Sequence, residues 1–437
     1  MLRRVKISGY KSLVDLEVRL QPLSVLFGPN AAGKSNFLDA LQLLSRVVTS
    51  RTLKEAFVPP FRGTPLESFT FVPGGIKGLL DRDSVSFAME VDVELSQSVV
   101  DAVNRQIREM KQTRASDGPD ANGKPQSYVR ERHLRYRIEV EILPRSGILR
   151  VTDEYLTALN ARGEPRKDRR PFLELVDRQL HLRMEGQAHP AYYERYLDHS
   201  ILSLPLYPPH YPHLVAMRQE LSGWLFFYFE PRERMRAPNP VKEVRHVGLM
   251  GEDLAAFLNT LRALDPRQFR GVEKSLQTII PSITGIDVEV SSVGEVELRL
   301  MEDGTPIPAR VVSEGTLRIL GLLALSGVKE APSLVGLEEP ENGVHPRRVR
   351  LIAELLESRA NGGNTQLVVT THSPILPDLI PDESLYVCRK IGGKTRIEPF
   401  SPTWGPLGRA SDVEQALDGE LPAPSVSERI QRGDFDD

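Results

Sequence analysis

Apolar and polar residues alternate from Leu2 to Ser8 and again from Val14 to Leu20, on either side of Gly9-Tyr10-Lys11-Ser12. A period of two with a turn between predicts an antiparallel pair of strands, each with one buried face. The pattern then changes. Leu23, Val25, Leu26 and Phe27 make an almost continuous apolar run, as expected of a strand covered on both sides. Just beyond it, Phe37, Leu38, Leu41 and Leu44 recur at helical spacing. Ser84–Leu95 returns to alternation, His133–Leu143 and Ile148–Leu156 predict a hairpin turned at Pro144–Gly147, and Val288–Met301 predicts another. Gly223–Pro231 reads as a buried strand and Gly251–Leu264 as an amphipathic helix. From Val311 to Phe400, helical and strand patterns alternate, which is the mark of an α/β domain.

Four stretches carry no such pattern. Val58–Gly75 is rich in proline and glycine and predicts a loop. Gln112–Ser127 is polar and turn-rich, the composition of a disordered loop. From Asn160 to His213 the sequence is irregular and charged, ending in the proline-rich Leu204–His213. Beyond Phe400 it reads as a polar, disordered tail. The expected fold is α/β, with a mixed central sheet, an antiparallel β subdomain and an inserted α/β lobe. The corresponding segments are 1–100, 101–220, 221–400 and the tail 401–437. No internal repeat or heptad run interrupts this organisation.

Composition narrows the class. A chain of 437 residues has room for two or three lobes, and a net charge of −3 argues against a surface coated in positive charge. A hydrophobic content of 40% and a charged content of 26% are ordinary for a soluble globular protein. Cys388 is the single cysteine, so an intrachain disulfide and a multi-cysteine zinc site are excluded. Its setting in Ser384–Lys390 predicts a buried, inert thiol on a strand. Apolar stretches such as Ile319–Val328 are too short to span a bilayer, and Met1–Leu13 has no apolar core of a signal peptide. The expected location is the cytoplasm, with no membrane partner.

The connection between the buried strand and the helix after it carries chemistry. Gly28-Pro29-Asn30-Ala31-Ala32-Gly33-Lys34-Ser35 fits G-x-x-x-x-G-K-[ST] at every fixed position, and Asn36 follows. Glycines there let the backbone wrap so that successive N–H groups and the helix N-terminus face a phosphate. Lys34 would reach the β- and γ-phosphates of ATP, and the Ser35 hydroxyl would hold Mg²⁺. A glycine-rich turn with a solvated lysine is the plain alternative, and the strand before and helix after weigh against it.

A phosphate loop of this kind needs carboxylates on a neighbouring strand. Leu334, Val335 and Leu337 form an apolar strand ending in Glu338-Glu339, at the edge where α/β sheets bind ligands. Glu338 is assigned to Mg²⁺ and Glu339 to the attacking water as general base. Thr365–Pro374 predicts a further strand ending at His372, a residue able to hydrogen-bond the terminal phosphate. Ser313-Glu314-Gly315-Thr316 opens a strongly apolar helix. Its serine hydroxyl, glycine N–H and helix end make a second anion site, and Ser313 also fits a plain helix cap.

In this order the motifs resemble those of the ABC-class ATPases, in the AAA-domain branch that includes RecF-like and OLD-like proteins. Val5–Asn36, Phe226–Pro240 and Gly251–Leu261 resemble segments of that branch as well. The resemblance covers roughly residues 1–95 and 220–400 and implies a P-loop ABC-ATPase head. It also implies a head-to-head homodimer with ATP held between one subunit's loop and the other's signature. Gly28, Gly33, Lys34, Ser35, Glu338, Glu339 and His372 would then act in cis, Ser313 and Gly315 in trans, with Asn342–His345 at the seam. Three features depart from the pattern. The carboxylate pair is Glu-Glu where Asp-Glu is usual. The nearest glutamine for a glutamine loop is Gln97, a poor candidate. Neither a long coiled coil nor room for a TOPRIM nuclease domain is present, and Asp434-Phe435-Asp436 only mimics an acidic metal pair.

The basic runs Arg162–Arg170 and Pro231–His246 are either solvated loops or a surface for nucleic-acid phosphates. His210 and His213, with neither helix nor carboxylate expected nearby, do not suggest a metal site. The expected function is ATP hydrolysis by a DNA-associated sensor or motor in repair or anti-phage defence, working with a separate effector such as a nuclease. A scaffold that uses ATP only to dimerise, and the nucleotide subunit of a transporter, are the alternatives.

Overall fold

The computed structural model describes residues 1–111, 127–185, 189–326, 331–363, 365–401 and 425–435. Most of the polar loop expected at 112–127, and residues 402–424 of the tail, lie outside them. Strands β1 (Leu2–Tyr10) and β2 (Leu13–Arg19) pair antiparallel, and β3 (Leu23–Phe27) leads into helix α1 (Lys34–Val47). Two short helices, α2 (Leu53–Ala56) and α3 (Gly75–Leu80), precede β4 (Val85–Glu94) and α4 (Gln97–Lys111). Then come β5 (His133–Leu143), β6 (Ile148–Ala158), β7 (Leu173–Val176), β8 (Gln179–Leu182) and β9 (Ala191–Glu194). Helix α5 (Pro212–Ser222), β10 (Trp224–Phe227), β11 (Asn239–Pro240), α6 (Leu254–Leu264) and α7 (Pro266–Ile279) follow. The chain continues through β12 (Ile283–Val290), β13 (Glu295–Glu302), β14 (Thr305–Pro308) and α8 (Glu314–Leu323). Strand β15 (Leu334–Glu338), α9 (Pro346–Asn361), β16 (Gln366–Thr370), β17 (Leu385–Ile391), β18 (Lys394–Pro399) and α10 (Val426–Arg432) complete it.

These elements divide into two compact units. The first, Met1–Leu20 with Asn36–Trp224 and Lys390–Ile397, is built on an eight-stranded sheet in the order β2-β1-β4-β5-β6-β7-β8-β9. Leu134, Tyr136, Ile138, Val140 and Ile142 of β5 are buried, and the charged residues between them are not. A slip of one residue against β4 would reverse that arrangement, so the alternation sets the register, with Met89 opposite Ile138. Strands β7 to β9 fall in the stretch that carried no pattern. Each is four residues long, too short to display a period, and Asp177 and Arg178 turn β7 into β8 with φ of +48° and +67°. That is a two-residue hairpin turn made without the usual glycine or asparagine, which is why it left no mark in the sequence.

The second unit comprises Gln21–Ser35, Leu225–Arg389 and Glu398–Asp437. Its main sheet runs β10-β15-β16-β3-β17-β18, and β15, β16, β3 and β17 are parallel. Pairings of Glu338 with Thr370 and of Thr370 with Leu26 bring the carboxyl ends of β15, β16 and β3 to one edge. All five residues of β3 and all five of β16 are buried, as their apolar runs predicted. A smaller antiparallel sheet, β11-β13-β12 with β14 on β13, packs its Val288, Val296, Leu298 and Leu300 into the same core as α6, α7 and α8.

The tail needs a correction. Ser425–Phe435 is ordered: Ser425 and Glu428 form a reciprocal capping box at the start of α10, and Gly433 ends it at φ +79°. Phe435 is 2% exposed and sits edge-on to Phe27 at 5.3 Å. Asp434 pairs with Arg429 at 3.5 Å. One aromatic residue in a polar stretch is a weak signal, and its partners Phe27 and Phe400 are distant in sequence. The expectation for His213 is corrected as well. It lies in the first turn of α5, buried, with Nδ1 2.7 Å from Glu185 Oε1.

Candidate phosphate-binding site

The loop after β3 turns through Gly28 at φ +143°, Ala31 at φ +63° and Gly33 at φ +103° before α1 begins at Lys34. Gly28 has a second constraint: a Cβ there would lie 2.1 Å from the Cys388 carbonyl oxygen on β17, so only glycine fits. Cys388 itself is fully buried, and its thiol, which reaches the Ala32 carbonyl at 3.5 Å, is pushed up to about 12 by burial. It is the inert strand thiol that its setting suggested.

Lys34 folds back over the loop. Its ammonium donates to the Gly28 carbonyl at 2.8 Å and the Pro29 carbonyl at 2.9 Å, and the residue is 7% exposed. Burial lowers its pKa, opposed by the nearby Cys388, Glu339 and Glu338. Two carbonyl dipoles are partial compensation for a buried cation, and the third N–H suits a phosphate oxygen. Ser35, next on α1, donates its hydroxyl to Glu338 Oε1 at the end of β15. A hydroxyl and a carboxylate side by side are hard oxygen ligands of the kind magnesium takes alongside phosphate and water. Among the described residues no group of three His, Cys, Asp or Glu side chains forms a metal cage. Asn36 turns its amide to Ser12 Oγ at 2.8 Å.

Glu339 is held with φ +49°, a left-handed conformation rare for a side-chain-bearing residue, while its N–H donates to the Thr370 carbonyl at 2.9 Å. The twist takes its side chain out of the strand's alternation, and Oε1 meets His372 Nδ1 at 2.7 Å. Glu341, which the sequence reading passed over, is buried two residues on. It accepts the Thr371 hydroxyl through Oε1, Oε2 has no hydrogen-bond partner, and burial raises its pKa. Both neighbours were visible in Glu-Glu-Pro-Glu-Asn and Thr-Thr-His-Ser, but nothing local marked them as touching.

Ser313 and Gly315 have different company. Ser313 caps α8, accepting from the Thr316 N–H at 3.2 Å and lying 2.8 Å from the Thr316 hydroxyl. A Cβ on Gly315 would stand 2.6 Å from the Gly343 carbonyl oxygen, so the start of α8 is pressed against the turn after Glu339. The loop from Gly28 to Lys34 is not among these contacts. Gln97 opens α4, and its amide donates to Asp101 at 2.9 Å. Arg166 and Arg169, candidates for nucleic-acid contact, pair with Glu131, Asp168 and Glu185.

A parallel sheet with a glycine loop, a lysine and a carboxylate pair at its carboxyl edge defines the class: an ABC-class ATPase head. The chain belongs to the family described as "AAA domain, putative AbiEii toxin, Type IV TA system", whose profile matches residues 23–102 and 205–378, more than half of it. Among solved structures, an SMC head bound to the C-winged helix domain of ScpA is similar at 11% identity with a TM-score of 0.52, over 92% of this chain and 98% of that one. That likeness shows the fold. The SMC head domain from Thermotoga maritima aligns at 14% identity and a TM-score of 0.39, over 92% and 99%. An SMC head bound to the C-terminal domain of ScpA, derived from Pyrococcus furiosus, aligns at 9% and 0.46, over 95% and 99%. Among curated proteins none matches the chain. Among the described residues no helix is long and apolar enough to cross a membrane.

Proposed function

We propose that this protein is a magnesium-dependent ATPase that works as a head-to-head dimer. The observation that carries the reading is the meeting, at one edge of three adjacent parallel strands, of Lys34, the Ser35–Glu338 pair and the Glu339–His372 pair. The Gly28–Asn36 loop and Lys34 would hold the triphosphate, and Ser35 and Glu338 the magnesium ion. Magnesium, when bound, neutralises phosphate charge. Glu339 accepts the proton of the attacking water, with His372 fixing its carboxylate through Nδ1. That bond leaves Nε2 to face the terminal phosphate. Ser313 bonds to Thr316 and Gly315 is pressed against Gly343, both within their own chain, which agrees with a role opposite the partner's nucleotide.

We further propose a cytoplasmic role in defence, with a separate effector, such as a nuclease, supplying the destructive chemistry; the family description names a putative toxin of a type IV toxin–antitoxin system. A DNA contact would draw on Arg162, Lys167 and Arg170, the exposed cations of the basic run, because Arg166 and Arg169 already serve carboxylates.

Mixing two inactive variants tests the dimer. Lys34→Ala loses the phosphate cradle, and Ser313→Arg puts bulk and charge where the partner's nucleotide docks. In a mixed dimer both lesions fall in one site and the other is intact. About half of randomly paired dimers are mixed, so roughly a quarter of wild-type ATPase activity should return if sites act independently. No recovery, with mixed dimers shown by tagged pull-down, would return Ser313 to the role of helix cap.

A further inference from the structure

Ser425–Phe435 does more than cover the core. A cavity of about 180 Å³ is lined by Gly28, Pro29 and Asn30 of the phosphate loop, by His372, and by Ile430 and Phe435. The segment is fastened by contacts to Phe27, Phe400 and Asp378. Phe435 lies edge-on to Phe27, the last residue before the loop, at 5.3 Å, and 6.4 Å from Phe400. Arg429, also buried, stands over both Phe400 and Phe435, at 5.5 and 5.1 Å from their centroids. Ser427 donates its backbone N–H to Asp378 at 3.0 Å and its hydroxyl to the same carboxylate, on the stretch that follows His372. One segment is therefore anchored both to the strand that leads into the phosphate loop and to the stretch that follows the histidine.

We infer that Ile430 and Phe435 form a wall of the nucleotide site beside the terminal phosphate, and that they favour the triphosphate over the diphosphate. The inference deepens the proposed function and rests on it, because His372 is the residue there assigned to the terminal phosphate. An apolar wall suits that position. His372 is otherwise exposed, so apolar surface on one side of a bound phosphate would take the place of water there and strengthen the interaction of His372 with an anion. It also offers no carboxylate to repel one.

Cysteine chemistry reads this directly. Ile430→Cys exchanges one apolar side chain for a smaller one, and Cys388, buried and with its thiol pushed up to about 12, gives wild-type protein no reactive thiol. ATP should slow maleimide alkylation of this variant about tenfold more than ADP does, each at saturating concentration. The protection should not depend on protein concentration. Equal protection by ATP and ADP, or none, overturns the inference; protection that grows with protein concentration reports subunit association and overturns it too. Ile430→Asp against Ile430→Asn gives a second reading at matched size. The carboxylate should weaken ATP binding about tenfold relative to the amide and change ADP binding little, with both variants melting alike. Equal ATP affinity in the two variants counts against the wall. Lys34→Ala separates the layers: if it loses ATP while the Ile430 variants behave alike, the phosphate site stands and the wall falls. If Lys34→Ala binds ATP normally, both fall.

Discussion

Two clusters of charged side chains, one in each unit, are built to opposite rules. In the first unit, Arg166 donates to Glu131 at 2.9 Å, Arg169 donates to Glu185 at 3.0 Å, and Glu185 holds His213 Nδ1 at 2.7 Å. His213 Nε2 accepts the backbone N–H groups of Arg130 and Glu131 at 3.1 and 2.9 Å, and its ring stacks on Phe172 at 4.5 Å. Each of these groups is answered from within the chain. In the second unit, Lys34 is buried against two carbonyls, Glu341 Oε2 has no hydrogen-bond partner, and neither has the buried Arg318 Nε. Desolvation lowers the Arg318 pKa, against the pull of Tyr228, Glu314, Glu339 and Glu341. Buried polar groups are costly unless paired, so these incompletely paired ones are the groups that the proposed nucleotide would complete. The paired cluster is architecture.

If that contrast is sound, substitutions in the two clusters must separate binding from stability. The largest effect should come from Lys34→Ala, which removes the buried cation: ATP affinity, read by calorimetry, should fall about 10²-fold or more, the worth of a strong charge-assisted hydrogen bond. Stability should hold or rise, because an incompletely compensated buried charge is gone. Normal ATP affinity would erase the distinction between the clusters. Glu339→Gln should bind ATP and slow its hydrolysis by about 10²–10⁴-fold, the usual worth of a general base. Wild-type turnover in steady-state assays would move that role to another residue. The smallest effect on function belongs to the paired cluster. Glu185→Ala leaves the buried His213 ring N–H without its acceptor and should cost about 1–3 kcal/mol in denaturant unfolding. Its ATP turnover should stay within about twofold of wild type, because its partners Arg169 and His213 are not among the candidate site residues. A loss of turnover at undiminished stability would make that cluster functional after all.

How far each cluster could be read in advance follows from how local it is. The loop from Gly28 to Ser35 was legible residue by residue, because strand, turn and helix start are each encoded within a few positions of one another. The long alternations of β4, β5 and β6 were legible for the same reason. The Arg166–Glu131–Arg169–Glu185–His213 cluster was not. Its members come from four stretches, and a run of arginines has one appearance whether it faces solvent, DNA or buried carboxylates. Phe435 was misread on similar grounds, since its neighbours Phe27 and Phe400 lie far off in the chain.

The sequence by itself determined which chemistry was available: a glycine loop with lysine and serine, a glutamate pair ending an apolar strand, a histidine ending another, and a capped apolar helix. These are local facts, written in propensities and short spacings. Tertiary structure alone decided which of those groups meet. Ser35 and Glu338 are 303 residues apart and touch because β15, β16 and β3 are neighbours, in that order, in a parallel sheet. Strand order depends on how whole faces of helices and sheets bury one another, and no short window of residues encodes it. The same holds for Glu339, whose positive φ brings its carboxylate to His372, and for Ile430 and Phe435, which reach the phosphate loop from about four hundred residues further along the chain.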